Sequence, residues 1–461
     1  MGRMPATPAT QLKSEDPSVP HSAGAPHDPD ALLVRALGVR ELAATIFNYT
    51  VGSGIFVLPA VAVARLGGAA PLAYIVCAIV MACVVLCFAE AGSRVSHTGG
   101  PYAYVEAALG PLVGFVAGVL LTVTGLISGA AVAVAFAQSL ASLAGAASSR
   151  GTTAAIILVA IGALALLNVR GVRRGARAVE IVTIAKLLPL VAFLAVGVFF
   201  VRPAHLAWAA SPHLANLLGT AGVVIFAFSG IESALAPSGE VREPSRTVPR
   251  ASFLALGAAT VLYLAIQWVA LGILGGALAG TGATPLAAAA QVFAGTAGRV
   301  VLIAGATVSM LGYLSGNMLA VPRSLFALAR DGFLPRALAA VHPRFRTPHV
   351  AVVLYAVIVV AVALSGTFEE LVVLSNIAAL VLYILCAIGV WRLRRLDVRA
   401  DGRPFVIPAG PLVPIASCLL NAGLIVETAS ARQLIGFGVL CGAAVLLYGL
   451  REARRARTSA P

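Results

Sequence analysis

The sequence predicts an all-α integral membrane protein with twelve transmembrane helices. Three observations predict it. Of 461 residues, 60% are apolar, and the mean hydropathy is +0.97. Only 11% are Asp, Glu, Lys or Arg, against about 25% in an ordinary soluble domain. The 32 basic residues also alternate along the chain in a pattern that sets the topology. So few charges cannot cover a soluble fold of this composition, which excludes a soluble enzyme and, away from the ends, disorder. The net charge of +14 would suit an anionic partner, yet no basic, aromatic-bearing soluble domain is left to bind nucleic acid.

Residues 1–39, rich in Pro, Ala, Ser and Asp and without an apolar run, are expected to be a disordered cytoplasmic tail rather than a signal peptide. A helical span needs about 20 apolar residues. The expected spans are 40–65, 69–91, 112–143, 152–169, 178–201, 214–237, 251–275, 298–329, 349–365, 369–392, 411–429 and 433–450. The Gly/Ala-rich stretch 276–297 becomes an outer loop with a short helix. Runs 107–149 and 251–298 are long enough for two spans each, and the charges decide against splitting them. With both termini inside, 26 basic residues fall on inner segments and only Arg65, Arg150, Arg202, Arg299 and Arg432 on outer ones. Splitting either run would destroy that alternation. Lys186 is the one basic residue within a span. The six cysteines lie in apolar stretches without CxxC spacing and read as small buried hydrophobes.

Two spans carry breaks. The first reads Asn48-Tyr49-Thr50-Val51-Gly52-Ser53-Gly54-Ile55-Phe56, and the sixth reads Phe226-Ala227-Phe228-Ser229-Gly230-Ile231-Glu232. The second lies five spans along from the first, an odd number, so the two helices run in opposite directions. Interrupted helices at matching places in two halves point to an inverted-repeat secondary transporter. A half-helix N-terminus offers N–H groups and a positive dipole end to an anion, and a half-helix C-terminus offers carbonyls to a cation. An amino acid carries both charges on one carbon, so paired breaks suit its zwitterionic head. The competing reading is that the glycines serve tight helix packing.

Five motifs in order then resemble the amino acid–polyamine–organocation superfamily. They are Val51-Gly52-Ser53-Gly54-Ile55-Phe56-Val57-Leu58-Pro59, Gly99-Gly100-Pro101-Tyr102-Ala103-Tyr104, and Phe228-Ser229-Gly230-Ile231-Glu232-Ser233-Ala234 with its continuation to Arg250. The others are Ala327-Leu328-Ala329-Arg330-Asp331-Gly332-Phe333-Leu334-Pro335 and Arg403-Pro404-Phe405-Val406-Ile407-Pro408. The resemblance implies a LeuT-like fold of five plus five inverted helices, residues 40–201 and 202–392. Two appended helices occupy 393–450, and a cytoplasmic tail occupies 451–461. It implies alternating access around the two breaks. The N–H groups of Ser53 and Gly54, next to Gly52, and the Ser53 hydroxyl would take the substrate α-carboxylate. The carbonyls of Thr50, Phe226 and Ser229 would take the α-ammonium. Phe228, Ile231 and Asn317 would shape the side-chain pocket. Arginine–agmatine antiporters are similar around Glu232 but use tryptophans where this chain has Phe226 and Asn317, which argues against arginine recognition.

Lys186, in Ile184-Ala185-Lys186-Leu187-Leu188-Pro189, costs about 2.5–3.5 kcal/mol at a span centre on insertion scales. It persists there only with a partner or as a neutral amine. The resemblance implies that it holds the place of a sodium ion against the first break and couples protons; a fixed cation on span-one carbonyls is the alternative. Glu232 either senses pH and pairs with a cationic substrate, or bonds nearby backbone and holds its half-helix. Glu90 and Glu106, near inner ends of spans, read as interface groups. No HExxH, P-loop, GxSxG or dinucleotide motif is present. The expectation is therefore a secondary active transporter for amino acids, neutral ones first, in the plasma or inner membrane with both termini cytoplasmic. It is a monomer or homodimer in contact with lipid, with no cofactor, no metal and the proton as coupling ion. Exchange of basic substrates and a non-transporting sensor or channel are the alternatives.

Overall fold

The computed structural model of the chain describes residues 37–95, 99–145, 149–170, 175–208, 211–236, 240–399 and 403–458. The expected tail before residue 37, Arg173 and Arg174 of an expected inner loop, and the last three residues lie outside the described residues. The ordered elements are helices: α1 Val39–Thr50, α2 Gly54–Leu66, α3 Ala70–Arg94, α4 Pro101–Leu109, α5 Pro111–Leu143, α6 Arg150–Arg170, α7 Gly175–Gly197, α8 Leu214–Val224, α9 Ile231–Ala234, α10 Pro244–Leu274, α11 Pro285–Arg330, α12 His349–Ser365, α13 Phe368–Arg395, α14 Leu412–Thr428 and α15 Ala431–Thr458. Among the described residues, eight helical runs are long and apolar enough to cross a membrane. Shorter apolar helices cover Ala185–Phe200, His349–Ser365 and Leu412–Thr428.

Every expected span coincides with helix. The boundaries shift, most of all at the eighth span. The eighth span was expected from residue 298, but α11 begins at Pro285, with a non-helical residue at Gly295 (φ 58°, ψ −150°). The stretch before it is a 3₁₀ helix, Gly275–Thr281. Alanine-rich sequence between two helices continues as helix because nothing but the glycine interrupts it. Prolines open α4, α5, α10 and α11, where the missing N–H costs no hydrogen bond.

The core lies where α3 packs on α10 and α5 packs on α11 and α13. It is built from small residues, with Ala130, Ala131, Ala133, Ala135 and Ala137 of α5 fully or almost fully buried. Small side chains let helices approach closely, which is how van der Waals packing holds bundles in an apolar solvent. At the rim, α6 and α15 turn Val159, Leu167, Ile435, Val439 and Leu446 outward, a surface that water would not tolerate.

Candidate functional site at two crossed helix breaks

The first break separates α1 from α2. Val51 leaves the helical region (φ −78°, ψ 78°), and the Gly52 N–H turns back to the Thr50 carbonyl at 2.9 Å. The second break tightens α8 into a 3₁₀ turn, Ile225–Phe228. It then extends at Ser229 (φ −69°, ψ 156°) and passes through Gly230 at φ 119° into the short helix α9. The two breaks touch. A Cβ on Gly54 would stand 2.7 Å from the Ala227 Cα, and one on Gly230 would stand 2.8 Å from the Tyr49 carbonyl oxygen. Close packing and the breaks are therefore one feature: the glycines let the two interruptions cross.

Lys186 of α7 reaches this crossing. Its Nζ donates to the carbonyls of Asn48 at 2.6 Å and Val51 at 2.7 Å, and the residue is 4% exposed. The last carbonyls of a helix have no N–H partner of their own, so the ammonium caps α1 where the chain leaves it. The ring of Tyr263 in α10 stands on the other side. Its hydroxyl lies 2.8 Å from the Thr50 carbonyl and 2.9 Å from that of Ala227, bridging the two breaks.

The α2 side of the first break presents donors. Ser53 is the N-cap of α2 and is buried, and its hydroxyl has no partner among the described residues. The first N–H groups of α2 have no intrahelical acceptor, and a 13-residue helix places its positive end there. This arrangement can receive a carboxylate.

The expected acceptors are more committed than the motif implies. The Thr50 carbonyl already accepts from Gly52 and Tyr263, and that of Phe226 accepts from the Ser229 N–H at 3.2 Å. Ser229, extended, holds its carbonyl out of any helical ladder. Phe228 packs edge-on against Tyr263, with ring centroids 5.1 Å apart, so it braces the break from behind. Ile231 is buried at the start of α9. A Cβ on Gly52 would stand 3.8 Å from the ring of Tyr313. Asn317, expected at the side-chain pocket, instead donates its Nδ2 to the Gly125 carbonyl of α5 at 2.6 Å. Its amide ties α11 to α5 because Gly125 leaves that carbonyl reachable.

Glu232 is buried, and both of its carboxylate oxygens accept from the Gly230 N–H at 3.0 Å. The Tyr383 hydroxyl of α13 donates to one of them at 2.9 Å. Such a carboxylate clasps the N-terminus of its own half-helix. Asn376 of α13 does the same at the carbonyl end, donating to Gly222 at 2.8 Å.

Beyond the crossing lies a cavity of about 730 Å³. Arg65, Val61 and Val57 of α2 form one wall, and Phe368 and Glu369 of α13 another. Phe368 meets Phe226 edge-on, with centroids 6.1 Å apart, and so stands between cavity and crossing. At the opposite end of the bundle the elements are tied together. Glu90 of α3, with no exposed surface, accepts from Arg94, from Arg394 of α13 at 2.7 and 2.8 Å, and from the Ile407 N–H at 2.9 Å. There the Gly99 N–H also docks on the Ala236 carbonyl at 2.8 Å, holding the Gly-Gly-Pro-Tyr motif against the end of α9.

Sequence reading singled out both breaks, Lys186 and Glu232. It missed Tyr263 and Tyr383. The signal was available: a tyrosine inside an apolar span has a hydroxyl that needs a partner when buried. All six cysteines are free.

A family model described as amino acid permease matches residues 37–437. An uncharacterized transporter of Mycobacterium tuberculosis is 31% identical over 94% of this chain and 95% of its own. The serine/threonine exchanger of Bacillus subtilis is 28% identical over 92% of this chain and 99% of its own. A branched-chain amino acid permease of the same organism is 27% identical over 85% and 89%. These relatives are named as transporters, not enzymes, and the residues that the family model matches include both breaks and all five motifs. The chain belongs to the amino acid permease family of the amino acid–polyamine–organocation superfamily and is a multi-pass membrane protein.

Proposed function

We propose that the protein is a secondary active transporter of neutral amino acids in the cell membrane, working by alternating access around the crossed breaks. The chain crosses the bilayer twelve times, five helices repeating inverted and two appended, with both termini inside. Arg65 then faces outside and Glu90 the cytoplasm. The substrate α-carboxylate sits on the Ser53 and Gly54 N–H groups and the Ser53 hydroxyl, and the α-ammonium on carbonyls of the second break, that of Ser229 first. The proton is the coupling ion and Lys186 its carrier. When the amine loses its proton, its hydrogen bonds to the Asn48 and Val51 carbonyls lose their charge and weaken, and the first break is loosened.

One observation carries the neutral preference. The carboxylate nearest the crossing, Glu232, has both oxygens engaged by the Gly230 N–H and the Tyr383 hydroxyl, leaving no unpaired anion to hold a guanidinium or a second ammonium. Phe226, Phe228 and Ile231 around it are apolar. The substrates for which two relatives are named, serine/threonine and branched-chain amino acids, support the same class. The first of these is an exchanger, which favours obligatory exchange as a second mode.

The purified protein, screened by thermal shift against amino acids and polyamines at two pH values, is expected to be stabilised by neutral amino acids. A shift only with arginine, agmatine or polyamines overturns the neutral preference. In proteoliposomes, counterflow is expected in the parent. Acid-stimulated uptake is expected in the parent and not in Lys186→Ala, and its survival in that variant removes the coupling role. Counterflow without net uptake assigns exchange.

A further inference from the structure

Helix α13 ends in Trp391-Arg392-Leu393-Arg394-Arg395, and its three arginines part company. The charge-free run of the helix covers residues 371–391. Trp391 therefore closes the apolar stretch, at the depth where tryptophans gather between acyl chains and water. Arg394 turns inward, to Glu90 and to the Gly410 carbonyl. Arg392 and Arg395 are exposed, and among the described residues neither pairs with a carboxylate. Asp397, the nearest acid along the chain, is taken by Arg399 at 2.8 Å. The Arg395 guanidinium lies over the Trp391 ring, 3.7 Å from its centroid. The indole holds one face of that planar fork and leaves its N–H edge open. One turn deeper on the same stripe, Ile388 is exposed. Helix α14 runs antiparallel beside it, since Arg394 meets Gly410 ahead of α14 and the Cys418 Sγ meets the Ile384 carbonyl at 3.9 Å. Leu412, Ile415 and Leu419 of α14 are exposed as well.

We propose that this corner, at the cytoplasmic ends of α13 and α14, binds an anionic phospholipid. The phosphate sits on Arg392 and Arg395, whose guanidiniums match two oxygens at once. The glycerol backbone lies against Trp391, and the acyl chains run along Ile388, Ile415 and Leu419. Two cations within one helical turn repel each other, and the phosphate relieves that repulsion. The inner-end bias of arginines accounts for the presence of three here. It does not account for two of them staying unneutralised beside an exposed indole while the third turns in. A zwitterionic headgroup adds an ammonium next to the guanidiniums and is disfavoured. Occupancy also steadies α13, whose Arg394 anchors the Glu90 cluster. The leaflet that the corner faces rests on the proposed topology; the site itself does not.

The test uses the full chain in phosphatidylcholine nanodiscs, with Trp208→Phe and Trp268→Phe leaving Trp391 as the one tryptophan. Phosphatidylglycerol or phosphatidylcholine, brominated along the acyl chains, is titrated in, and quenching of Trp391 reads which lipid lies against it. Each arginine is expected to favour the anionic headgroup about fivefold, so phosphatidylglycerol quenches at a mole fraction about thirtyfold lower. Arg392→Gln is expected to lower that preference about fivefold, and Arg392→Gln with Arg395→Gln to abolish it. Arg336→Gln, at an exposed arginine of another inner segment, is expected to leave it unchanged. Equal quenching by the two brominated lipids overturns the proposal. So does a preference that survives the double neutralisation, or one that falls equally in Arg336→Gln. Melting in detergent reads the same preference without the tryptophan changes. Added phosphatidylglycerol is expected to raise the melting temperature more than phosphatidylcholine does in the parent and not in the double variant, and equal rises in the parent overturn the site. Neither readout involves transport, so a parent without counterflow defeats the transport reading and leaves the lipid site standing.

Discussion

Tyr263 is the residue on which the two halves of the site depend together. It has one proton and two carbonyl neighbours, Thr50 and Ala227, each buried at the end of an interrupted helix. Tyr263→Phe keeps the ring, its packing on Phe228 and the volume, and removes only that donor. The Thr50 carbonyl keeps the Gly52 N–H, so the loss falls on that of Ala227; a buried acceptor left without its donor costs about 1–3 kcal/mol, and the variant is expected to melt lower in detergent and to exchange substrate more slowly. A melting temperature equal to the parent's would show that the hydroxyl contributes nothing to holding the breaks together. Lys186 and Tyr263 also show what single residues reveal before a structure exists. A charge in an apolar run cannot be neutral to the fold, so Lys186 stands out in the sequence. A tyrosine there suits ordinary packing equally well, and only the crossing carbonyls disclose its partner. Asn317 shows the converse. Its polarity was legible, but its face on α11 was not, and its amide meets Gly125 rather than the site.

The breaks are the elements that matter most, and their glycines are not equivalent. Gly54 and Gly230 each lie against backbone of the opposite break, at 2.7 and 2.8 Å from an added Cβ, and Gly230 also sits at positive φ. Backbone cannot step aside as a side chain can, and a left-handed residue with a Cβ costs a further 1–2 kcal/mol or so. Gly54→Ala and Gly230→Ala are therefore expected to reduce the yield of monodisperse protein and to abolish transport. Gly52→Ala meets only the Tyr313 ring, at 3.8 Å, and is expected to fold as the parent does. Size-exclusion profiles of the three variants decide it, and equal profiles would mean that the breaks do not need to touch. The interruptions themselves were legible because Gly-Ser-Gly and Ser-Gly weaken a helix at mid-depth. The 3₁₀ turn before Ser229 was not, since Ile225–Phe228 is a good helical sequence that tightens only because the chain must turn toward Thr50.

On the scale of the molecule, the two ends differ in kind. The Arg65 end holds an exposed pair, Arg65 with Glu369, beside a cavity, and the Glu90 end holds a buried cluster that joins α3, α13 and the loop before α14. Glu90 accepts from two guanidiniums and one backbone N–H, while Arg94 also reaches the Val398 carbonyl at 3.2 Å and Arg394 reaches that of Gly410 at 3.0 Å. Nothing local in the sequence foretells this. Glu90 and Arg394 are 304 residues apart, and each taken singly is an ordinary charge near the end of a span. The apolar helices themselves were legible because hydropathy is a local quantity, and partners across the bundle are not. Removing one member of a buried ionic cluster leaves the others uncompensated, at a cost of about 3–5 kcal/mol. Glu90→Gln is accordingly expected to destabilise the protein strongly, since it keeps the shape and leaves Arg94 and Arg394 facing a neutral amide. Adding Arg394→Gln removes one of the stranded charges. The double variant is therefore expected to melt above the sum of the two single losses, a coupling that neighbours in one network show and distant sites do not. Additive losses in that cycle would mean that Glu90 and Arg394 act independently.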